Sequence, residues 1–204
     1  MNDPDPTAIF ERMYVAAAGG GDSLPWDRGG PHPLLEPWAR DVDGTGRRAL
    51  VVGSGLGTDA EYLAGRGFDV VAFDASPTAI ETARRAYADS AVDYRVADLL
   101  DPPAQWSRAF DLVLESLTVQ SMPMRYHAPA TASVADAVGP GGTLLVIATA
   151  RADDAPIPDG PPWPLTRAEV EAFAGDGLAA VRIEAVREPG VPARWRAEFR
   201  RDSY

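Results

Sequence analysis

The chain has 204 residues, 46% of them hydrophobic and 24% charged, with 30 acidic residues set against 19 basic ones that are all arginine, for a net charge of −11. That length fits one domain with a sizeable core, and the acidic balance argues against a nucleic-acid partner. The absence of cysteine excludes disulfides and thiolate catalysis, two histidines predict no metal site, and the lack of a signal-like or membrane-length apolar run predicts a cytoplasmic protein with no membrane partner.

Residues 7–18 read as a helix that Thr7 caps, with Ile9, Phe10, Met13 and Tyr14 on one apolar face and Gly19 to Gly21 ending it. Residues 22–33 are rich in turn formers, and Leu34 to Arg40 reads as a short helix with Trp38 on its core face. Alternation then takes over. Strands are predicted at 48–53, 69–74, 92–97, 110–115 and 142–149, with helices at 58–65, 77–88 and 126–138. Strands as apolar as Leu144 to Ile147 suit a parallel sheet covered on both faces. Five prolines between Ala155 and Leu165 predict a loop without regular structure, followed by a capping box from Thr166 to Glu169. Residues 181–186 and 195–199 alternate as two closing strands. The expected architecture is α/β: a single Rossmann-like, doubly wound sheet of seven mostly parallel strands with a C-terminal antiparallel hairpin. Residues 1–41 form a helical lid and 46–204 the core of one domain.

The segment from Ala49 to Asp59 carries the chemistry. A buried strand runs into Gly53, Ser54, Gly55 and Gly57, and Asp74 ends the next strand 21 residues after Gly53. Glycines let a ligand approach the backbone, and an acid at that spacing suits the two hydroxyls of a ribose. A dinucleotide site would place a third glycine where Thr58 stands and a pyrophosphate on the helix start, which Asp59 would repel. S-adenosylmethionine (SAM) has no phosphate. It carries an ammonium that an acid favours and a carboxylate that free amides near Gly55 could hold. An NAD-dependent oxidoreductase is the less fitting reading.

Further motifs carry a resemblance. Pro25-Trp-Asp-Arg-Gly-Gly-Pro-His-Pro33, Leu50 to Ala83, Ala97-Asp98-Leu99, Ser121-Met-Pro-Met-Arg125 and Gly160-Pro-Pro-Trp-Pro164 together resemble class I SAM-dependent methyltransferases, and within them the thiopurine and halide/thiol group. The resemblance implies SAM as cofactor, S-adenosylhomocysteine (SAH) as product and no metal. It implies that Gly53, Ser54, Gly55, Gly57 and Asp59 approach the methionine moiety, that Asp74 and Ala75 meet the ribose, and that Asp98 and Leu99 meet the adenine. Trp26 would cover the cofactor and Glu115 would lie beside the methyl sulfonium. The stretch Glu115 to Gln120 departs from the halide/thiol group's Asp-Tyr-Thr-Phe-Phe-Cys, so a different acceptor pocket is expected.

Tyr14, Trp26, Arg125 and Trp163 are candidates for binding the acceptor, Arg125 because a guanidinium pairs with carboxylates. Glu115 and His127 are the candidate catalytic residues, and His32 is a weaker candidate base. No Asp-His pair or lysine stands out as a base. The expected acceptor is therefore a small molecule that is already nucleophilic, such as a thiol, with O- or N-methylation of a secondary metabolite as the alternative. A non-catalytic SAM-binding regulator is the reading from another class, and the sequence leaves the oligomeric state open.

Overall fold

Consecutive apolar residues from Ala49 to Val52 leave no polar face, and this run forms the inner strand of a parallel sheet rather than a half-exposed one. The structure, a computed structural model, describes residues 8–21 and 23–204. The chain divides into two compact units, one ending at Asp98 and the other running from Leu99 to Tyr204.

The first unit contains α1 (Ala8–Ala18), α2 (Leu35–Ala39), β1 (Arg48–Val52), α3 (Thr58–Ala64), β2 (Asp69–Asp74), α4 (Pro77–Ala86) and β3 (Asp93–Val96). Its strands lie in the order β3-β2-β1, all parallel, with Arg48 opposite Asp69 and Val71 opposite Asp93. Ser76 caps α4 by accepting from the Ala79 N–H, and Pro77 follows where a missing N–H costs nothing. The lid helix α1 docks on that end. The Glu11 carboxylate accepts from the hydroxyls of Ser76 and Thr78, placing an anion at the positive end of α4. Tyr14 and Leu24 pack with Ala79, and Phe10, Met13, Trp26 and Leu56 close around them. Ile9, expected on the apolar face, is instead 39% exposed, and Trp38 is only half-buried. The predicted cap, Thr7, lies outside the described residues.

The second unit contains β4 (Phe110–Ser116), α5 (His127–Asp136), β5 (Val138–Thr149), α6 (Arg167–Glu171), β6 (Leu178–Val186) and β7 (Arg194–Arg201). Its strands run β4-β5-β7-β6, the first pair parallel and the later pairs antiparallel, so the expected closing hairpin is present. Phe110, Leu112, Leu114, Leu144, Leu145, Ile147, Phe173 and Phe199 fill the interior. β5 begins four residues before the predicted start. Gly139 to Gly142 are part of the strand as a bulge, with Phe110 opposite Val138 and Leu112 already opposite Thr143. Only glycine fits at 142, because a side chain there would begin 2.7 Å from the Phe110 carbonyl oxygen. β6 also starts earlier than predicted, and its alternation is lost at a bulge between Ala180 and Arg182. The Thr166 capping box is present: Thr166 Oγ1 accepts from the Glu169 N–H, and Glu169 accepts from the Thr166 N–H at 2.8 Å. The proline-rich loop has no regular structure, and its ends are held by backbone bonds from Leu165 to Thr149 and from Arg151 to Leu165.

Candidate functional site

In the first unit, β1 ends in a turn whose glycines at 53, 55 and 57 all have positive φ (59°, 53° and 91°), a conformation that side-chain-bearing residues resist. The turn is fixed by its own backbone. The N–H of Ser54 donates to Phe73 O at 2.8 Å, and that of Gly57 donates to Ser54 O at 2.9 Å. The N–H of Gly55 donates to Asp74 Oδ2 at 2.9 Å. These three amides are therefore committed within the protein, contrary to the expectation that amides near Gly55 are free for a ligand carboxylate.

Asp74 is buried at the end of β2. Its Oδ1 accepts from the Ser76 N–H at 2.9 Å, so each carboxylate oxygen holds one backbone amide. Burial pushes its pKa up, and the amide bonds from Ser76 and Gly55 oppose that shift. An ionised carboxylate accepts about four hydrogen bonds, so acceptor capacity is left for a ribose hydroxyl. The Ala97 N–H donates to the Asp74 carbonyl at 3.1 Å, and Asp98 follows, exposed at the end of the first unit; Ala75 is half-buried.

Two tyrosines and a tryptophan cover the glycine turn. A side chain on Gly55 would begin 2.9 Å from the Tyr14 hydroxyl and 4.0 Å from Trp26 Nε1, and one on Gly57 would begin 2.3 Å from the Tyr94 hydroxyl. Trp26 Nε1 donates to the Tyr14 hydroxyl at 3.0 Å, with the two rings edge to face at 5.7 Å. Tyr94 donates to Glu61 at 2.6 Å. Asp59 does not stand open beside the turn; its Oδ1 accepts from the His32 N–H at 2.6 Å, tying the proline-rich lid segment to α3. The buried His32 ring accepts from the Leu34 N–H at Nδ1, which makes it a local brace. Ser54 Oγ is buried with no hydrogen-bond partner among the described residues. A strand-end carboxylate with acceptor capacity, a glycine-rich turn and a buried hydroxyl without a partner among the described residues fit an adenosyl ligand with a polar tail.

In the second unit, Glu115 lies near the end of β4 and is fully buried. Its Oε1 accepts from the N–H groups of Thr118 and Val119 at 2.8 and 2.9 Å, around Leu117 at φ 65°. Its Oε2 is buried with no hydrogen-bond partner among the described residues. Burial pushes the carboxyl up to about 7, with the two amide bonds pulling the other way. Beyond this turn, Gln120 accepts from the Thr149 N–H through its side chain and from the Trp163 N–H through its carbonyl, the latter at 2.6 Å. Trp163 of the proline-rich loop is thereby held, half-buried, against the segment that follows β4.

His127 is buried at the start of α5 with both nitrogens facing acceptors: Nδ1 lies 3.2 Å from Glu169 Oε1 and Nε2 lies 3.0 Å from Met122 O. Neither nitrogen is directed at open space to take a proton from a substrate. Arg125 is exposed, its guanidinium 4.7 Å over the Tyr126 ring, and Leu99 is buried where the second unit begins. Among the described residues no cluster of potential ligands could hold a metal ion, and no helix is long and apolar enough to cross a membrane. Sequence reasoning missed Glu11, Tyr94, Glu61 and Gln120. Each meets a partner at least 29 residues away, which no local pattern discloses.

Residues 49–142 match the model of a methyltransferase domain. The chain is 30% identical over 194 residues to the 2-heptyl-1-hydroxyquinolin-4(1H)-one methyltransferase of Mycobacteroides abscessus, which covers 88% of this chain and 82% of that protein. It is 35% identical over 135 residues to the ubiquinone biosynthesis O-methyltransferase of Xylella fastidiosa, spanning 59% of this chain and about half (52%) of that relative's length. A structure solved for the conversion of a disulfide bond into a thioacetal group during echinomycin biosynthesis matches with a TM-score of 0.75 at 27% identity, covering 97% of this chain and 93% of the other. The 1,6-didemethyltoxoflavin-N1-methyltransferase of Burkholderia thailandensis, solved with SAH, shares the fold with a TM-score of 0.74 at 16% identity, over 99% of this chain and 93% of that one.

Proposed function

The chain belongs to the class I SAM-dependent methyltransferases, and from that premise we propose that it methylates a small secondary metabolite at an acidic hydroxyl, one that reaches the enzyme already ionised or nearly so. The observation that carries this reading is the state of the two candidate bases. His127 has both nitrogens engaged, and Glu115 has one oxygen tied to two amides and the other sealed from solvent. An acceptor that needed a proton removed by the protein would call for a base within reach of it. The N-hydroxyl of the quinolone for which the Mycobacteroides relative is named is a group of the kind that needs little such help.

Bound SAM supplies a methyl group already activated by its attachment to a sulfonium. In this reading Gly53, Gly55, Gly57 and Ser54 form the wall against the methionine portion, Asp74 takes the ribose hydroxyls, and Asp98 with Leu99 meets the adenine. Trp26 closes the glycine turn from the lid side. Trp163 gives the acceptor an aromatic surface and Arg125 pairs with an anionic substituent on it. Alignment and exclusion of water are what these residues contribute, and positioning alone can lower a barrier by roughly 7–11 kcal/mol.

A sulfur acceptor is the second reading. It is favoured by the likeness of Pro25 to Pro33 and Gly160 to Pro164 to the thiopurine and halide/thiol group, and by the sulfur chemistry named for the echinomycin structure. Both readings are tested by one screen of N-hydroxy heteroaromatics, phenols, thiols and amines with SAM, following SAH release across pH. The proposal predicts turnover of acidic hydroxyls, with a pH dependence that tracks the acceptor's own ionisation from one substrate to the next. Turnover of thiols alone would move the assignment to sulfur. A profile identical for acceptors of different acidity would show that a protein base sets the rate.

A further inference from the structure

The Ser54, Gly55 and Gly57 amides, expected donors to the ligand's carboxylate, are instead bonded within the protein. Nearby stands a donor that the fold has prepared. The Tyr14 hydroxyl accepts from Trp26 Nε1, so its own proton points elsewhere, and among the described residues it has no acceptor. It lies 2.9 Å from where a Gly55 side chain would begin, over the middle of the turn. Tyr14 is 6% exposed and locked edge to face against Trp26, so the hydroxyl has little freedom to turn away. Burial, with the nearby Asp74 charge adding to it, keeps the phenol protonated and therefore a donor.

Of the acceptors on an adenosyl amino acid, the carboxylate gains most from such a donor, since hydrogen bonds to an ionised acceptor are the stronger class. We propose, on the basis of the cofactor assignment above, that Tyr14 is a cofactor-binding residue whose hydroxyl, oriented by Trp26, donates to the α-carboxylate of SAM at the glycine turn. The lid helix then does more than cover the ligand: it adds a side-chain donor over the turn. The orphaned Ser54 Oγ on the same turn is a second hydroxyl available to the same polar tail.

The test is calorimetric and needs no acceptor. SAH and its decarboxylated analogue, which keeps the adenosine, sulfur and amine, are titrated into the wild type, Tyr14→Phe and Trp26→Phe. Tyr14→Phe keeps the ring and its packing. It is expected to weaken SAH roughly tenfold to a hundredfold, the range for losing a hydrogen bond to a charged group, while changing the analogue less than about threefold. Trp26→Phe keeps the hydroxyl but not its orienting bond, and is expected to weaken SAH by a smaller factor with the same selectivity. Equal weakening of both ligands by Tyr14→Phe would reduce Tyr14 to a packing role and overturn the proposal, as would no weakening of either. A wild type that binds the analogue as tightly as SAH would remove the carboxylate contact altogether, and one that binds neither would remove the cofactor assignment beneath it.

Discussion

Glu115→Gln is a substitution that should make the protein more stable at neutral pH. The native carboxyl ordinarily titrates at 4.5 and is pushed up to about 7 by complete burial. The unfolded chain releases this proton from about pH 4.5 upward, whereas the folded chain holds it until about pH 7. Between those values the folded state binds more protons, so stability falls as pH rises, and above about pH 7 the loss is complete. At about 1.4 kcal/mol per unit, the whole effect is of order 3 kcal/mol, with most of it falling between about pH 4.5 and pH 7. Glutamine preserves the carbonyl that Thr118 and Val119 donate to, but it does not titrate. Urea unfolding of both proteins across that range isolates the residue, because every other titration cancels in the difference. The variant should match the wild type near pH 4 to 5 and gain roughly 1 M in urea midpoint by pH 8, for a typical dependence on denaturant. Parallel profiles would show that Glu115 carries its charge when folded, and would restore it as a candidate base.

Two further outcomes test the frame of each unit. Gly57→Ala forces a left-handed residue, costing about 1–2 kcal/mol, and drives its Cβ into the Tyr94 hydroxyl, breaking that group's bond to Glu61 at a further cost of about 1.5–3 kcal/mol. A fall in Tm of roughly 5–20 °C is expected, shrinking toward the backbone term alone in a Tyr94→Ala background; an equal fall in both backgrounds would refute the contact. His127→Ala should lower unfolding free energy by about 1–3 kcal/mol, because Met122 and Glu169 lose a buried partner, while SAH affinity measured by calorimetry stays the same. An unchanged stability would show that the histidine does not brace α5.

What the chain discloses about itself follows the range of the interactions. The Gly53 to Asp74 spacing is legible because a strand, a turn, a helix and a strand are a local unit, and the structure does bring Asp74 to the Gly55 amide. The Thr166 capping box is legible for the same reason, being complete within four residues. The two bulges, at Gly139 to Gly142 and in β6, hide in sequence because register is decided by the neighbouring strand. Tyr14 reads in sequence as an apolar-face residue and a candidate for the acceptor; only the return of the chain at Trp26 and at Gly55 makes it an oriented hydroxyl over the glycine turn. His127 and Asp59 were legible as chemical types and not as roles. Their partners, Glu169 and the His32 backbone, lie 42 and 27 residues away.

The two strand-end acids make the functional argument sharper than either does alone. Asp74 ends β2 and Glu115 stands one residue before the end of β4, and both carboxylates accept from backbone amides, yet they divide them differently. Asp74 takes one amide on each oxygen, so both oxygens keep a lone pair for a ligand's hydroxyl. Glu115 takes both on one oxygen and leaves the other with nothing, an arrangement suited to carrying a proton there. A carboxyl that holds its proton up to neutral pH and is sealed from solvent is a poor proton acceptor for a substrate, whereas a carboxylate with spare lone pairs is a good host for a diol. On the proposed reading, one strand-end acid serves recognition and the other builds a turn. That division leaves proton removal to the acidity of the acceptor itself.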